Sequence, residues 1–296
     1  METTEVSGTG MTDELSEKIA QYIKKMPSFS TTVSKVLEIC DNIQASPAAL
    51  NQVISLDPVL VGRVLRLINS AYYGLNPPVT SLVRAIIMLG LNTVKNLALS
   101  SAAMASVGSN RGAQGLNMEA FWLHSLCAGV AAKVLARKRG VDSKQLEEYF
   151  TAGLLHDIGK IPLNAVLEGE YMCTVSAADR ERIGLDVSEN RILGMDHCAA
   201  GAMIVAAWRL KGAVGDAIIH HHRGSAYEGP WRDVVFTTVL ANRFASVREI
   251  GFSGDRYPEK IDPAVFEYLR LDPAVLEEIE PEVDGEIEKA RIFLYT

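Results

Sequence analysis

DPVLVGRVLRLINSAYYG, residues 57–74, is the stretch that decides the fold class. Asp57 suits a helix N-cap, because its carboxylate accepts a hydrogen bond from an otherwise unpaired backbone N–H. Pro58 suits the first helical position, where the N–H it lacks has no partner anyway. Behind them Val59, Leu60, Val64, Leu67 and Ile68 recur at helical spacing, the pattern of an apolar stripe turned to a core. The preceding unit, ASPAALNQVISL at 45–56, uses the same grammar with Ser46 and Pro47.

Working outward, residues 12–24, TTVSKVLEICDNI at 31–43, VTSLVRAIIMLG at 79–90 and LNTVKNLALSSAAMASVG at 91–108 also read as helices. GSNRGAQGLN, 108–117, is rich in turn formers and marks a boundary between two lobes. Beyond it helical periodicity returns in 118–140, in 143–160 with Ser143 as the expected cap, and in 197–210, 212–222 and 233–247. Residues 168–190 read as a polar stretch, to which no helix is assigned. Strand alternation is scarce, so the expected class is all-α. The organisation that follows is a short N-terminal tail over 1–19, one helical lobe over 20–110, a second over 111–254, and an acidic helical tail over 255–296.

With 296 residues, 48% of them hydrophobic, the chain can bury a sizeable core. Its net charge is -7, and residues 272–296, with eight acids and two bases, supply -6 of it. The tail therefore reads as solvated helix faces, and the body is nearly neutral. The basic run Lys133 to Arg139 fits the favourable positive end of a helix, so nucleic acid is not an expected partner. Cys40, Cys127, Cys173 and Cys198 show no paired spacing, as for reduced thiols. METTEVSGTG at the start has no apolar run, and the longest uncharged stretch, 96–110, is too short and too rich in Ser and Gly for a bilayer. A cytoplasmic protein without membrane contact is the expectation.

Half of the six histidines stand together in AIIHHHRGS, 217–225, and the others are His124, His156 and His197. Singly, each has an ordinary reading. His124 lies in a stripe of small apolar residues, as a core histidine does. The doublet of His156 and Asp157 suits a hydrogen-bonded helix end. His220 to His222 suit a helix C-terminus, where partial positive charge is worth about 0.3–1 kcal/mol. Jointly they allow a metal site. Adjacent side chains diverge by about 100°, so His156 and Asp157 can straddle an ion, and at most two of His220 to His222 can serve one site. Ala200 and Gly201 leave room beside His197. Neutral imidazoles with a carboxylate suit Zn, Fe, Mn, Co or Ni.

The order His124, His156–Asp157, His197, His221–His222 resembles the HD superfamily of metal-dependent phosphohydrolases and its cyclic-di-GMP-cleaving HD-GYP branch. MPSFSTTVSKVLEI at 26–39, ISLDPVLVGRVLRLINSAYYG at 54–74, VTSLVRAIIMLG at 79–90 and LGMDHCAAGAMIVAAWRL at 193–210 narrow the resemblance to the HDOD family, the HD-related output domain of bacterial signalling. It covers roughly residues 20 to 250. The resemblance implies an all-α regulatory module that has lost catalytic residues. It also implies a divalent transition metal held by Asp157, His197, His221 and His222, a set that is complete here. A neighbouring metal would use His124, His156, Asp157 and a late aspartate, where this chain has Asn242. The glutamate one turn before the first histidine is Ala120, and RGSAYEGP at 223–230 does not match the GYP loop. Lys160, which lies near substrate phosphate in active relatives, is kept. Two functions follow: a metal-binding regulator with little turnover, or a phosphodiesterase acting on a nucleotide or cyclic dinucleotide. The first implies signalling partners encoded elsewhere, the second a nucleotide or phosphate ligand.

Overall fold

The computed structural model describes residues 8–26, 30–40, 46–107 and 116–295, and among them there is no strand. The expected lobe boundary at 110/111 lies outside the described residues. The decisive stretch forms helix α4, Pro58–Ile68, after α1 (Gly8–Lys25), α2 (Thr31–Cys40) and α3 (Pro47–Ile54). Asp57 Oδ1 accepts the Leu60 N–H at 2.9 Å, and Ser46 Oγ caps α3 through the Ala49 N–H at 3.1 Å. Leu60, Val64, Leu67 and Ile68 are buried, whereas Val59 is 64% exposed. One residue of helix turns the chain through about 100°, which carries Val59 out of the stripe it was expected to join.

Helices α2, α4 and α5 (Leu82–Leu89) pack around α6 (Leu91–Val107), and α3 lies against α2 and α5. Helix α6 continues the core into the second lobe by packing on α8 (Leu146–Leu155). The end of the decisive stretch fastens the same joint. Tyr72 and Tyr73 face the Lys133 ammonium, 4.2 and 5.2 Å from their ring centres, and Tyr72 also packs on Phe150 and Phe293. Lys133 is in turn paired with Glu147. Among the described residues no single helix is long and apolar enough to cross a membrane; α5 and most of α6 pass that test only as a pair bent by 117°.

The second lobe is built on α7 (Met118–Lys138) and α8. They approach through glycine: a Cβ on Gly153 would lie 2.6 Å from the Ala128 carbonyl oxygen. Around them stand α9 (Lys160–Glu181), α10 (Leu185–Leu193), α11 (His197–Trp208), α12 (Ala213–His220) and α13 (Arg232–Val247). Helix α1 packs on α9 and α11.

Two expectations are corrected here. Residues 168–190 are mostly helical, because α9 runs on through a kink at Glu168 and α10 follows. Buried Tyr171, Thr174, Val175 and Ala178 give that segment a core face despite its polar composition. Helix α8 starts at Leu146, past Ser143, and the preceding turn is held by Asp142 Oδ1 accepting the Lys144 N–H.

The acidic tail forms α14 (Pro263–Leu269), α15 (Val275–Glu278) and α16 (Glu280–Ala290). Its acids are not merely solvated. Arg137 reaches Glu282 and Glu286, Lys138 reaches Glu278, and Arg248 reaches Glu280 and Asp284. Val283 and Ile287 are buried beneath these pairs. Partly exposed pairs contribute about 0–1 kcal/mol each, so apolar burial does more to hold the tail than charge does.

Candidate metal centre

Asp157 sits in the turn between α8 and α9, fully buried, and is the point on which the histidines converge. Gly159 makes the convergence possible. A Cβ there would lie 1.9 Å from the His197 carbonyl oxygen and 2.6 Å from the Gly201 nitrogen. Only a bare backbone lets the His–Asp turn lie against the start of α11.

The two oxygens of Asp157 face different neighbours. Oδ1 lies 3.4 Å from His197 Nε2 and 3.4 Å from His221 Nε2, and those two nitrogens are 3.2 Å apart. His222 completes a group whose donor atoms all fall within 4.8 Å of one another. Separations of 3.2–3.4 Å suit the edges of a tetrahedron with metal–ligand bonds of about 2.0–2.2 Å. Asp157 Oδ1 and His222 Nε2 are buried and make no hydrogen bond, which is costly for a polar atom in the absence of a partner. Donor chemistry, spacing and unsatisfied atoms therefore fit a divalent transition metal.

The outer ring nitrogens are held as such a site requires. His221 Nδ1–H donates to the Ala217 and Ile218 carbonyls at 3.1 and 3.2 Å, which turns Nε2 inward. His197 Nδ1–H donates to Glu189 Oε2 at 2.5 Å. Burial pushes the His221 pKa down to about 4, and burial with His221 and His197 nearby takes His222 well below the ordinary range. Both are neutral at neutral pH, the form that ligates metal. His197 differs: burial lowers it, but the Glu189 carboxylate outweighs that and raises it.

Oδ2 of Asp157 has another environment. Lys160 Nζ donates to it at 2.7 Å, with His156 Nε2 at 3.3 Å and His124 Nε2 at 3.8 Å. Burial opposes ionisation, but His156 and Lys160 hold Asp157 well below the carboxylate range. His124 Nε2 lies 3.1 Å from Asn242 Oδ1. With the amide oxygen accepting, that His124 nitrogen carries the proton in this arrangement, although His124, His156 and Asp157 also offer donor atoms within 4.8 Å of one another. Burial, with His156 and Lys160 close by, pushes the His124 pKa down to about 3.

Sequence order thus singles out residues that do lie together: Asp157 with His197, His221 and His222 on one side, His124, His156 and Asn242 on the other. His220 points elsewhere and stacks on Tyr227 at 5.0 Å. Lys160 is 1% exposed, and its ammonium is engaged by Asp157 and by Ser253 Oγ at 3.2 Å.

Two features escape the sequence reading. Glu189, fully buried on α10, accepts from Tyr171 Oη–H at 2.6 Å, the His197 backbone N–H at 2.9 Å and the His197 ring. Nothing in its spacing flags it. The second is a cover over Lys160 and His124. Phe252 N–H donates to the Ala120 carbonyl at 2.9 Å, and Ser253 and Asp255 are buried. On the other flank a cavity of about 230 Å³ reaches His221, His222 and Asn242, with Arg223, Arg243 and Lys260 but also Glu259 and Asp262 in its wall.

Comparison with known proteins agrees with this architecture. The HDOD domain model matches residues 26–224. An uncharacterised protein of Treponema pallidum (strain Nichols) is 26% identical over 266 residues, covering 88% of this chain. The chain spans about half of that relative, 49% of its length. Among solved structures, an HDOD domain protein of unknown function from Geobacter sulfurreducens is 22% identical with a TM-score of 0.73, covering 96% of this chain and 99% of its own. A Shewanella amazonensis SB2B protein, whose name suggests a phosphohydrolase, is 23% identical with a TM-score of 0.69, covering 94% and 98%. At such identities the two structures speak for the fold alone. The match of the domain model over two thirds of the sequence goes further: this chain belongs to the HDOD family.

Proposed function

We propose that this chain is a regulatory HDOD protein of bacterial signal transduction whose second lobe holds one divalent transition metal and turns over little or no substrate. Asp157, His197, His221 and His222 hold the ion. The observation that carries this reading is the asymmetry of Asp157, with an open Oδ1 facing imidazoles and an Oδ2 already bound by Lys160. When bound, the metal supplies fixed positive charge and Lewis acidity. The chain's own residues do little to extend that into turnover. Asn242 adds no negative charge for a second ion, and Lys160 neutralises Asp157 instead of facing the cavity. The readable output is then a metal-dependent conformation or stability, passed to signalling proteins encoded elsewhere in a cytoplasmic setting.

A second reading, a phosphohydrolase acting on a nucleotide or cyclic dinucleotide, draws on the cavity that reaches His221 and His222 beside Arg223, Arg243 and Lys260. There the cations would receive a phosphate, and Lys160 would have to leave Asp157 to offset charge on the phosphoryl oxygens.

One experiment separates the two. The protein is purified without added metal, analysed for its elements, reconstituted with Fe, Mn, Zn, Co and Ni, and assayed on bis(p-nitrophenyl) phosphate. The regulatory reading expects one ion per chain and no turnover. Turnover by the loaded protein would favour the second reading. Failure to retain any of the five metals would make the histidines structural and sink both.

A further inference from the structure

We propose that Glu189 is a positioning residue for the metal: it acts through His197, and Tyr171 fixes it from behind. The inference rests on the metal-binding reading above. Glu189 and Tyr171 both lie in the segment of polar composition, and neither belongs to the donor set.

The case begins with burial. Glu189, Tyr171 and His197 are all 0% exposed, and a carboxylate out of water needs strong partners to stay ionised. Glu189 has three. Oε1 accepts from Tyr171, while Oε2 accepts from both the ring and the backbone N–H of His197. Every direction in which the carboxylate could swing would break one of these bonds.

The consequence for His197 is geometric and electronic. Donation from Nδ1 to Glu189 fixes the proton on Nδ1 and leaves the Nε2 lone pair free, aimed toward Asp157 Oδ1 and His221 Nε2. A carboxylate behind an imidazole also makes its other nitrogen a stronger donor, and loss of such a partner typically lowers metal affinity about 10–100-fold. His156 and His221 have only backbone carbonyls at the same position. His222 Nδ1 lies 3.9 Å from Asp186 Oδ1, beyond hydrogen-bond reach, so His197 is the one histidine of the two groups hydrogen-bonded to a carboxylate, and it stands on the Oδ1 side.

A purely structural alternative exists, since Glu189 also accepts a backbone N–H at the start of α11. The test keeps the two apart. Glu189→Gln preserves an acceptor oxygen and removes the charge. Asp196→Ala removes the N-cap of the same helix, whose side chain accepts the Ala199 N–H at 2.7 Å, without touching the ring of His197. Cobalt(II) affinity and its visible absorption spectrum are measured for parent, both variants and Tyr171→Phe, beside the unfolding midpoint of each metal-free protein.

The expected result is a Co(II) affinity about 10–100-fold weaker in Glu189→Gln, with a changed spectrum and a metal-free midpoint near the parent's. Tyr171→Phe should show a smaller loss, under about tenfold. Asp196→Ala should unfold earlier and bind cobalt like the parent. Parent-like affinity in Glu189→Gln overturns the proposal, and so does an equal loss in Asp196→Ala. Should Glu189→Gln fail to fold, Tyr171→Phe decides, with unchanged affinity counting against. A parent that binds no cobalt, or any other of the five metals, defeats the metal reading itself, which is a separate outcome.

Discussion

The two sides of the Asp157 carboxylate are built from similar residues and have opposite electrostatic character. On the Oδ1 side three imidazoles meet an oxygen without a hydrogen bond. On the Oδ2 side two imidazoles meet an amide and an ammonium, and both polar partners are already engaged. The first side contains no cationic side chain, and the second contains the Lys160 ammonium. On the proposed reading, counting histidines does not count metal sites; the charge and protonation of the remaining neighbours decide.

The largest effect should come from removing what the two sides share. Asp157→Ala takes a ligand from the first and leaves Lys160 buried without its carboxylate. Removing one partner of a buried pair costs about 3–5 kcal/mol, so denaturant melts should show a strongly destabilised protein, and elemental analysis should find no metal. A variant that keeps its metal would end the idea that Asp157 organises both sides.

His222→Ala should come next. Metal content should collapse, and with it the stability a metal gives by mass action, about 2.7 kcal/mol at a hundred times its Kd. His220→Ala should leave both nearly unchanged. Equal losses in the pair, read by thermal shift with and without metal, would erase the distinction between these neighbours.

Acid should act on both sides of the metal-free protein. Unfolded, His124 and His221 titrate near 6.5; folded, they are held down to about 3 and about 4. The unfolded chain therefore takes up protons first, and stability present at neutral pH is lost as pH falls from 6.5 toward 4. Bound metal should compete with protons at His221 and leave His124 unprotected. Unfolding midpoints across pH, with and without metal, test this; a flat metal-free profile would contradict it.

Asn242→Asp sharpens the contrast from the other direction. It supplies a carboxylate to the Oδ2 side, so metal stoichiometry should rise from one toward two, most clearly at high metal concentration. No rise would mean that Lys160 alone keeps that side closed. A modest effect, remote from both sides, belongs to Asp57→Ala, far along the chain in the first lobe. Loss of that cap should cost about 0.5–2 kcal/mol in chemical denaturation and leave metal content alone.

Much of the fold is legible because its helices announce themselves locally. Asp57 with Pro58 and Ser46 with Pro47 mark starts, and apolar residues at helical spacing mark the buried faces. Where composition obscures period, as from 168 to 190, the reading fails, although Tyr171, Val175 and Ala178 still form a stripe. The donors around Asp157 can be named from chain order through a family pattern. Glu189 could not, because its role depends on α10 meeting α11 in space, and no spacing in the sequence encodes that meeting. The engagement of Lys160 by Asp157 is hidden for the same reason: the letters give a cation near a site, not the direction in which it turns.

The bare backbone at Gly159 bears on how such a protein changes over generations. A single added methyl there would collide with the carbonyl of His197 and push α11 away from the His–Asp turn. Every donor would still be present in the gene, and the site would have come apart. For a lineage that keeps this centre, position 159 is as confining as any histidine, though it has no atom to offer an ion. Inheritance of the donors alone is then no guarantee that the centre was inherited with them.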